Sequence, residues 1–404
     1  MKIKPTNLDP LSNPFDDWKC LSLSLYMTLA GYSVLVGIPV ISSAWVDLLG
    51  FSEVQVGRVA GADLGGLSVG ALFTSLLISN ISRRVIIIIG IGLAIIANFA
   101  CISITQYEYV LWLRFLAGFG SGLLTATAVS CLGACSRPAF AFNAMLFAFA
   151  FSQAAEMYFL PMLSMQNIYL TFILCFVIIV PFIGFIPSRL SEKNEKSLQT
   201  TNLSDKSMAG EDRVATGIIW LCLSAIVITY VNIGAYWTYI ELAASKGNTD
   251  PTWVGSVLTW SSLCSLIGCL FATVLSNRFG LLRPLLVTLL CQSSIVGMLA
   301  SGITNTNILV SVFSFNCLWI FIDVYQMSTI AKFDKTGRYS SLMPGAQGLG
   351  QIVGPNLAAL ILGFDFGYQA VFIMCSVASI IAFLIYLFVF FKFKSSKPEL
   401  AYSF

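Results

Sequence analysis

The chain contains no histidine. That removes the commonest metal ligand and the usual near-neutral proton carrier, so any proton chemistry falls to carboxylates. Charge is scarce as well: 10% of residues are Asp, Glu, Lys or Arg, against 57% that are hydrophobic. A soluble domain is nearer a quarter charged. With a mean hydropathy of +0.85, the class is a polytopic membrane protein. The net charge of +3 is spread over short loops and forms no basic patch, so nucleic acid is not a partner. No G-x-x-x-x-G-K-[ST] loop is present, which argues against an ATP-driven pump. The eleven cysteines include no C-x-x-C pair, and they read as small apolar packing residues. No metal and no cofactor are expected.

What is present is a series of apolar stretches. A span needs about 20 apolar residues. Runs that satisfy this lie near 20–45, 55–78, 84–104, 110–132, 139–163 and 168–186, and again near 214–242, 253–275, 282–303, 307–331, 340–363 and 368–391. Between the two sets lies 187–213, polar and charged with both signs, which reads as a flexible linker. The expected organisation is a polar segment 1–18, a six-helix bundle 19–186, the linker, a second bundle 214–391 and a tail 392–404. Residues 1–18 lack the basic n-region of a cleaved leader, so the first apolar run is expected to be retained.

Basic residues set the orientation. With both termini inside, 19 of the 22 fall on the cytoplasmic side, and only Arg58, Arg114 and Lys246 do not. This is the positive-inside pattern. The short loops fit a bacterial inner membrane, with lipid as the surrounding partner and a monomer as the expected state.

The fourth span reads V-L-W-L-R-F-L-A-G-F-G-S-G from Val110. Its single charge, Arg114, costs roughly 2.5–3.5 kcal/mol on insertion scales unless it finds a partner or water. Glycines at 118, 120 and 122 leave one side of the helix bare for close approach. Two equal sets of six spans suggest an internal repeat. L-L-I-S-N ends at Asn80 after the second span and V-L-S-N at Asn277 after the eighth, each followed by basic residues.

These features resemble the major facilitator superfamily of secondary transporters, over essentially the whole of Lys19 to Lys392. The family's loop signature, G-x-x-x-D-R-x-G-R-K, lies opposite S-L-L-I-S-N-I-S-R-R here. Arg83 and Arg84 match, while Ser75, Ser79, Asn80 and Ser82 replace the other signature residues. In the second half Arg278 and Gly280 fit the same signature. The resemblance implies that Arg83, Arg84 and Arg278 belong to a gating loop that latches the halves, here weakened or differently made. The fourth-helix pattern R-x-x-x-G-x-G is met by Arg114, Gly118 and Gly120. The family's antiporter signature, with G-P near the end of the fifth helix, is absent from A-M-L-F-A-F-A-F-S-Q-A-A-E-M-Y-F-L-P-M-L, which argues against a drug/proton antiporter and leaves export open. The implied fold is an all-α membrane protein of twelve transmembrane helices in two bundles.

Four ionisable residues lie inside spans: Asp63, Arg114, Glu156 and Asp323. At ~1.5 Å per residue, Asp63 lies ~14 Å, Arg114 ~6 Å and Glu156 ~10 Å from the outer surface. Arg114 can reach either acid. Alternate pairing, with release on protonation, would couple protons to movement of the halves; a static ion pair is the other reading. Asp323 has no basic residue in the spans of its own half. It is either a proton site, an attractor of cations, or a neutral acid bonded to a neighbouring helix.

In the seventh span Asn232, Tyr236 and Tyr239 share one face, while Trp237 and Glu241 fit an interface belt. The resemblance makes the first, fourth, seventh and tenth helices cavity-lining, so Asn232 and Tyr236 are candidate substrate contacts, with belt anchoring as the alternative. Gln326 stands near Asp323. Gln347 and Gln351 share a face of the glycine-rich eleventh span and can reach the cavity. Three acids against one arginine favour a cationic, zwitterionic or neutral solute over a polyanion. The expected function is a proton-coupled secondary transporter working by alternating access, not an enzyme. A facilitative uniporter is the alternative. A receptor would need a soluble output domain, and a linker of about 27 residues is too short for one.

Overall fold

A computed structural model of the chain describes residues 13–188, 211–247, 249–333 and 342–396. The architecture is helical throughout these residues. The first set of helices is α1 (Trp18–Leu49), α2 (Glu53–Leu77), α3 (Arg83–Ser103), α4 (Tyr107–Gly133), α5 (Pro138–Phe159) and α6 (Met165–Ile179). The last two run on as 3-10 turns, Leu160–Met162 and Val180–Phe185. The second set is α7 (Glu211–Lys246), α8 (Pro251–Ser262 and Cys264–Phe279, parted at Leu263), α9 (Leu282–Ser301), α10 (Asn305–Phe333), α11 (Met343–Gly363) and α12 (Gly367–Ser396). Of the expected linker, residues 189–210 lie outside the described residues, and Glu211–Arg213 are helical.

The chain is an integral, multi-pass membrane protein. Ten of the helices are long and apolar enough to cross a bilayer by length and composition. The other two crossing positions are α5 and α11. Asn143, Gln153 and Glu156 lower the hydropathy of α5. Three glutamine and asparagine side chains and an internal proline, Pro355, do the same in α11.

Helix ends carry their own signals. Asp17 caps α1 by accepting from Lys19 N–H at 3.1 Å, and Gly50 ends it in a left-handed turn at φ 70°. Ser52 and Gln55 form a reciprocal capping box at the start of α2, which satisfies two donors the helix would otherwise leave bare.

Glycine decides how the helices meet. A side chain on Gly118 or Gly122 of α4 would run into the backbone carbonyls of Asp63 and Leu67 on α2. Gly66 and Gly70 of α2 return the same fit against Phe115 and Phe119. The two helices therefore pack backbone to backbone, as small residues allow in lipid. α11 uses Gly350 and Gly354 the same way against Val227 and Val231 of α7. Across the two sets, α2 packs on α11, α5 on α8 and α1 on α7. The buried apolar core runs continuously through both.

Candidate functional site

Close packing of α2 on α4 brings Asp63 and Arg114 together. Arg114 Nε donates to Asp63 Oδ2 at 2.6 Å, and a second guanidinium nitrogen also reaches that oxygen. Arg114 Nη1 donates to Asn98 Oδ1 on α3 at 2.7 Å. The guanidinium lies 5.6 Å from the Tyr169 ring of α6. The Tyr169 hydroxyl in turn accepts from Trp45 Nε1 of α1 at 3.2 Å. Both charged side chains are almost wholly enclosed. One charge cluster thus ties five of the first six helices, and its hydrogen bonds offset the cost of leaving water.

Glu156 takes no part in that pair. It packs against α1 where Gly37 leaves space: a Cβ there would stand 2.7 Å from Glu156 Oε2. Ser152 Oγ donates to Oε1 at 3.2 Å, and Oε2 is enclosed without a partner. One turn earlier, Gln153 Nε2 donates to Asn316 Oδ1 of α10 at 3.3 Å, and Asn316 Nδ2 donates to Ser261 Oγ of α8 at 3.1 Å. This polar chain crosses between the two sets of helices.

Asp323 on α10 has a partner that the sequence reading did not assign. The Tyr230 hydroxyl of α7 donates to its Oδ2 at 2.7 Å. Oδ1 is enclosed, and the Trp319 indole N–H one turn earlier is the donor beside the carboxylate. Tyr32 of α1 stands within electrostatic reach of Tyr230 and packs edge-on against Phe149 of α5 at 5.4 Å. A run of rings leads away from this carboxylate. Trp319 packs edge-on against Phe315, which lies parallel to Trp237 at 6.1 Å and stacks on Tyr236 at 3.9 Å.

The remaining expected contacts are placed as follows. Asn232 Nδ2 donates to Ser379 Oγ of α12 at 2.7 Å, and Tyr236 shares a hydrogen bond with Ser311 of α10 at 2.8 Å. Both are enclosed among the last six helices. Gln326 Nε2 donates to Thr229 Oγ1 at 2.9 Å, and its Oε1 is unpaired. Gln351 is buried against α7 at Gly234, and Gln347 is half-buried. Trp237 is not at an interface: it is 1% exposed, and its Nε1 donates to Val36 O of α1 at 3.3 Å. Glu241 is likewise drawn into the α1–α7 contact. α7 runs through the middle of the molecule, so its outer end meets protein instead of lipid headgroups.

The two loop arginines bind within the first set of helices. Arg84 Nε donates to Ile186 O at 2.7 Å and its Nη2 to Gly184 O at 2.9 Å, so it satisfies carbonyls after the end of α6. Arg83 is buried with its guanidinium 5.3 Å from the Phe15 ring. The Arg278 side chain lies outside the described residues. A cleft of about 340 Å³ opens beside α2, α4 and α11, lined by Arg58, Gly61, Trp112, Phe115, Ile352 and Asn356. None of the candidate site residues lines it.

Twelve helical crossing positions among the described residues, ten of them long and apolar enough to span a bilayer, with enclosed charges and polar contacts between the two sets, define a polytopic membrane protein. The chain belongs to the Major Facilitator Superfamily, whose family model matches residues 21–343 and 225–401. A crystal structure of the nucleoside transporter NupG shares the fold, with a TM-score of 0.70 and 13% identity over 92% of this chain and 99% of that one. An aspartate-to-alanine variant of NupG gives a TM-score of 0.71 and 14% identity over 92% and 98%. No curated protein matches the sequence. The chain is thus a transporter by family and carries a small-molecule substrate.

Proposed function

We propose that the chain is a proton-coupled secondary transporter that moves a small organic solute by alternating access. Asp323 carries this reading. It sits enclosed on α10 with one carboxylate oxygen held by Tyr230 and no cation beside it among the described residues. Beside it is the Trp319 indole of α10, and Tyr32 of α1 stands within reach of Tyr230. A membrane-embedded carboxylate met only by neutral donors can hold a proton or meet a donor on the substrate, and binding one changes its fitness for the other. Such a residue is a functional site by default. Glu156 is a second proton carrier in this reading, with an unpaired oxygen of its own. The Arg114–Asp63 pair already has its partners, and its role is to hold the first six helices as one body.

The substrate is cationic, zwitterionic or neutral, because no basic side chain approaches Asp323 among the described residues to receive an anion. Nucleosides are the first class to test, since the solved neighbours of this fold carry that name. Asn232, Tyr236, Gln326, Gln347 and Gln351 are second-line contacts, reached as α7, α10 and α11 shift. Residues 19–186 and 214–391 are the moving units. The protein works as a monomer in a bacterial inner membrane with both termini cytoplasmic.

Uptake of labelled nucleosides, amines and amino acids into proteoliposomes, with and without an imposed proton gradient, tests the reading. Gradient-stimulated uptake that Asp323→Asn abolishes is the expected result. Equal uptake with and without the gradient would make the protein a facilitative uniporter.

A further inference from the structure

The two sets of helices are tied together at the end of the bundle that carries Glu53 and Lys246. Trp237 Nε1 reaches Val36 O, the Tyr239 hydroxyl donates to Glu53 O at 2.8 Å, and Lys246 Nζ donates to Glu53 Oε1 at 2.6 Å. Glu241 stands one turn beyond Trp237 on the same face of α7. Its carboxylate meets Ser43 and Asp47 of α1, themselves one turn apart. Glu241 is half-buried; its Oε2 is enclosed, with the Ser43 hydroxyl as the donor nearest it. Ser43 is 7% exposed, and its hydroxyl is also enclosed without a settled partner.

We propose that Glu241 is a further proton-binding site, filled when α1 and α7 close on each other and emptied when they part. An ionised carboxylate with one oxygen shut from water and a single serine hydroxyl to meet it is costly. The charged group that acts on it, Asp47, is of the same sign. The other titratable groups on the helices packed at this end include Glu53 and Arg58 on α2, Tyr239 and Lys246 on α7, and Tyr368 on α12; Arg58 turns to the cleft beside α4 and α11. Lys246 is taken by Glu53 and extends into the open with its side chain 65% exposed. Tyr239 is bonded to the α2 backbone, and Tyr368 packs under Lys246 and beside Tyr239. None of them offers Glu241 a positive charge. A proton removes the charge and makes Oε2 a donor, with the Ser43 oxygen beside it as acceptor. A metal cation would want six or so oxygens, more than Ser43 and Glu241 supply. When the helices part, water solvates the carboxylate and the proton leaves. The inference rests on the alternating-access reading and adds a titrating contact to its closing step.

Hydrogen-exchange mass spectrometry on the full chain in lipid nanodiscs tests it, with rates corrected for intrinsic chemistry. The peptides to follow cover 36–47 and 234–246. In the wild type, protection there should fall by about tenfold per pH unit once Glu241 ionises, the slope for one linked proton. Glu241→Gln should be protected and flat with pH. Glu241→Met should also be flat, should the glutamine variant fail to assemble. Glu53→Gln and Asp323→Asn should keep the wild-type slope. A flat wild type, or a slope that survives in Glu241→Gln, overturns the proposal. So does a slope lost in Asp323→Asn, which would put the titration there. Protection restored at alkaline pH by exchanging potassium for sodium overturns it in favour of a metal cation. The assay needs no substrate, so a failed uptake experiment is not read as failure of this site.

Discussion

The Tyr230 hydroxyl holds Asp323 Oδ2 at 2.7 Å, joining α7 to α10 at the centre of the second set of helices. A hydrogen bond to a charged group contributes about 1.5–3 kcal/mol. Tyr230→Phe should therefore lower gradient-driven uptake by roughly ten- to hundredfold, at 1.4 kcal/mol per factor of ten. Asp323→Asn should stop net accumulation yet leave exchange of labelled for unlabelled substrate across the membrane. A counterflow assay reads the two separately, and full accumulation in Asp323→Asn would remove Asp323 from the coupling.

The Asp63–Arg114 pair is enclosed, so removing one partner leaves a bare buried charge. Asp63→Asn or Arg114→Gln should each cost about 3–5 kcal/mol. The double variant Asp63→Leu/Arg114→Met should lose less than either single change, since it buries no unpaired charge. Thermal unfolding in detergent gives the order. A double variant that is worse than both singles would show that the Asn98 and Tyr169 contacts outweigh the charge pairing.

Gly118 faces the Asp63 carbonyl with no room for a side chain, while Gly92 on α3 has open space around it. Gly118→Val should lower the melting temperature and prevent assembly of the Arg114 cluster, since overpacking costs about 1–3 kcal/mol or more. Gly92→Ala should be neutral or slightly stabilising, because it removes freedom from the unfolded chain. Equal effects at the two positions would contradict the packing described for α2 and α4.

Arg84 donates to two carbonyls that follow α6. Arg84→Ala should leave both without a partner and loosen residues 180–186, read as faster backbone exchange there. Transport should change little, because both of these hydrogen bonds stay within the first set of helices. A transport loss with unchanged exchange at 180–186 would restore the latch between halves that the loop signature implies.

Spans, glycines and the intramembrane charges could be read from the sequence because their costs hardly depend on context. An arginine in lipid needs a partner wherever it falls, and Gly118 and Gly122 leave the same bare stripe in any helix. Choosing the partner depended on where helices begin. Counted from the helix starts at Glu53 and Tyr107, Asp63 and Arg114 differ in depth by only ~4.5 Å at ~1.5 Å per residue, and a long guanidinium spans that. Trp237 and Glu241 look like belt residues because they sit near a span end. Only the packing of α1 and α2 around α7 turns that end inward. Tyr230 was legible as a polar side chain in the seventh span, but not as the donor to Asp323, which lies 93 residues away.

In the proposed cycle, substrate and proton exchange places at Asp323. Its most direct test is the pH change of a weakly buffered solution of the purified protein as nucleosides and other candidate solutes are added, for wild type, Asp323→Asn, Glu156→Gln and Asp63→Asn. Proton release or uptake on adding one compound is the expected result, lost in Asp323→Asn and retained in Asp63→Asn. Substrate binding with no proton signal in the wild type, or the same signal in Asp323→Asn, would contradict it.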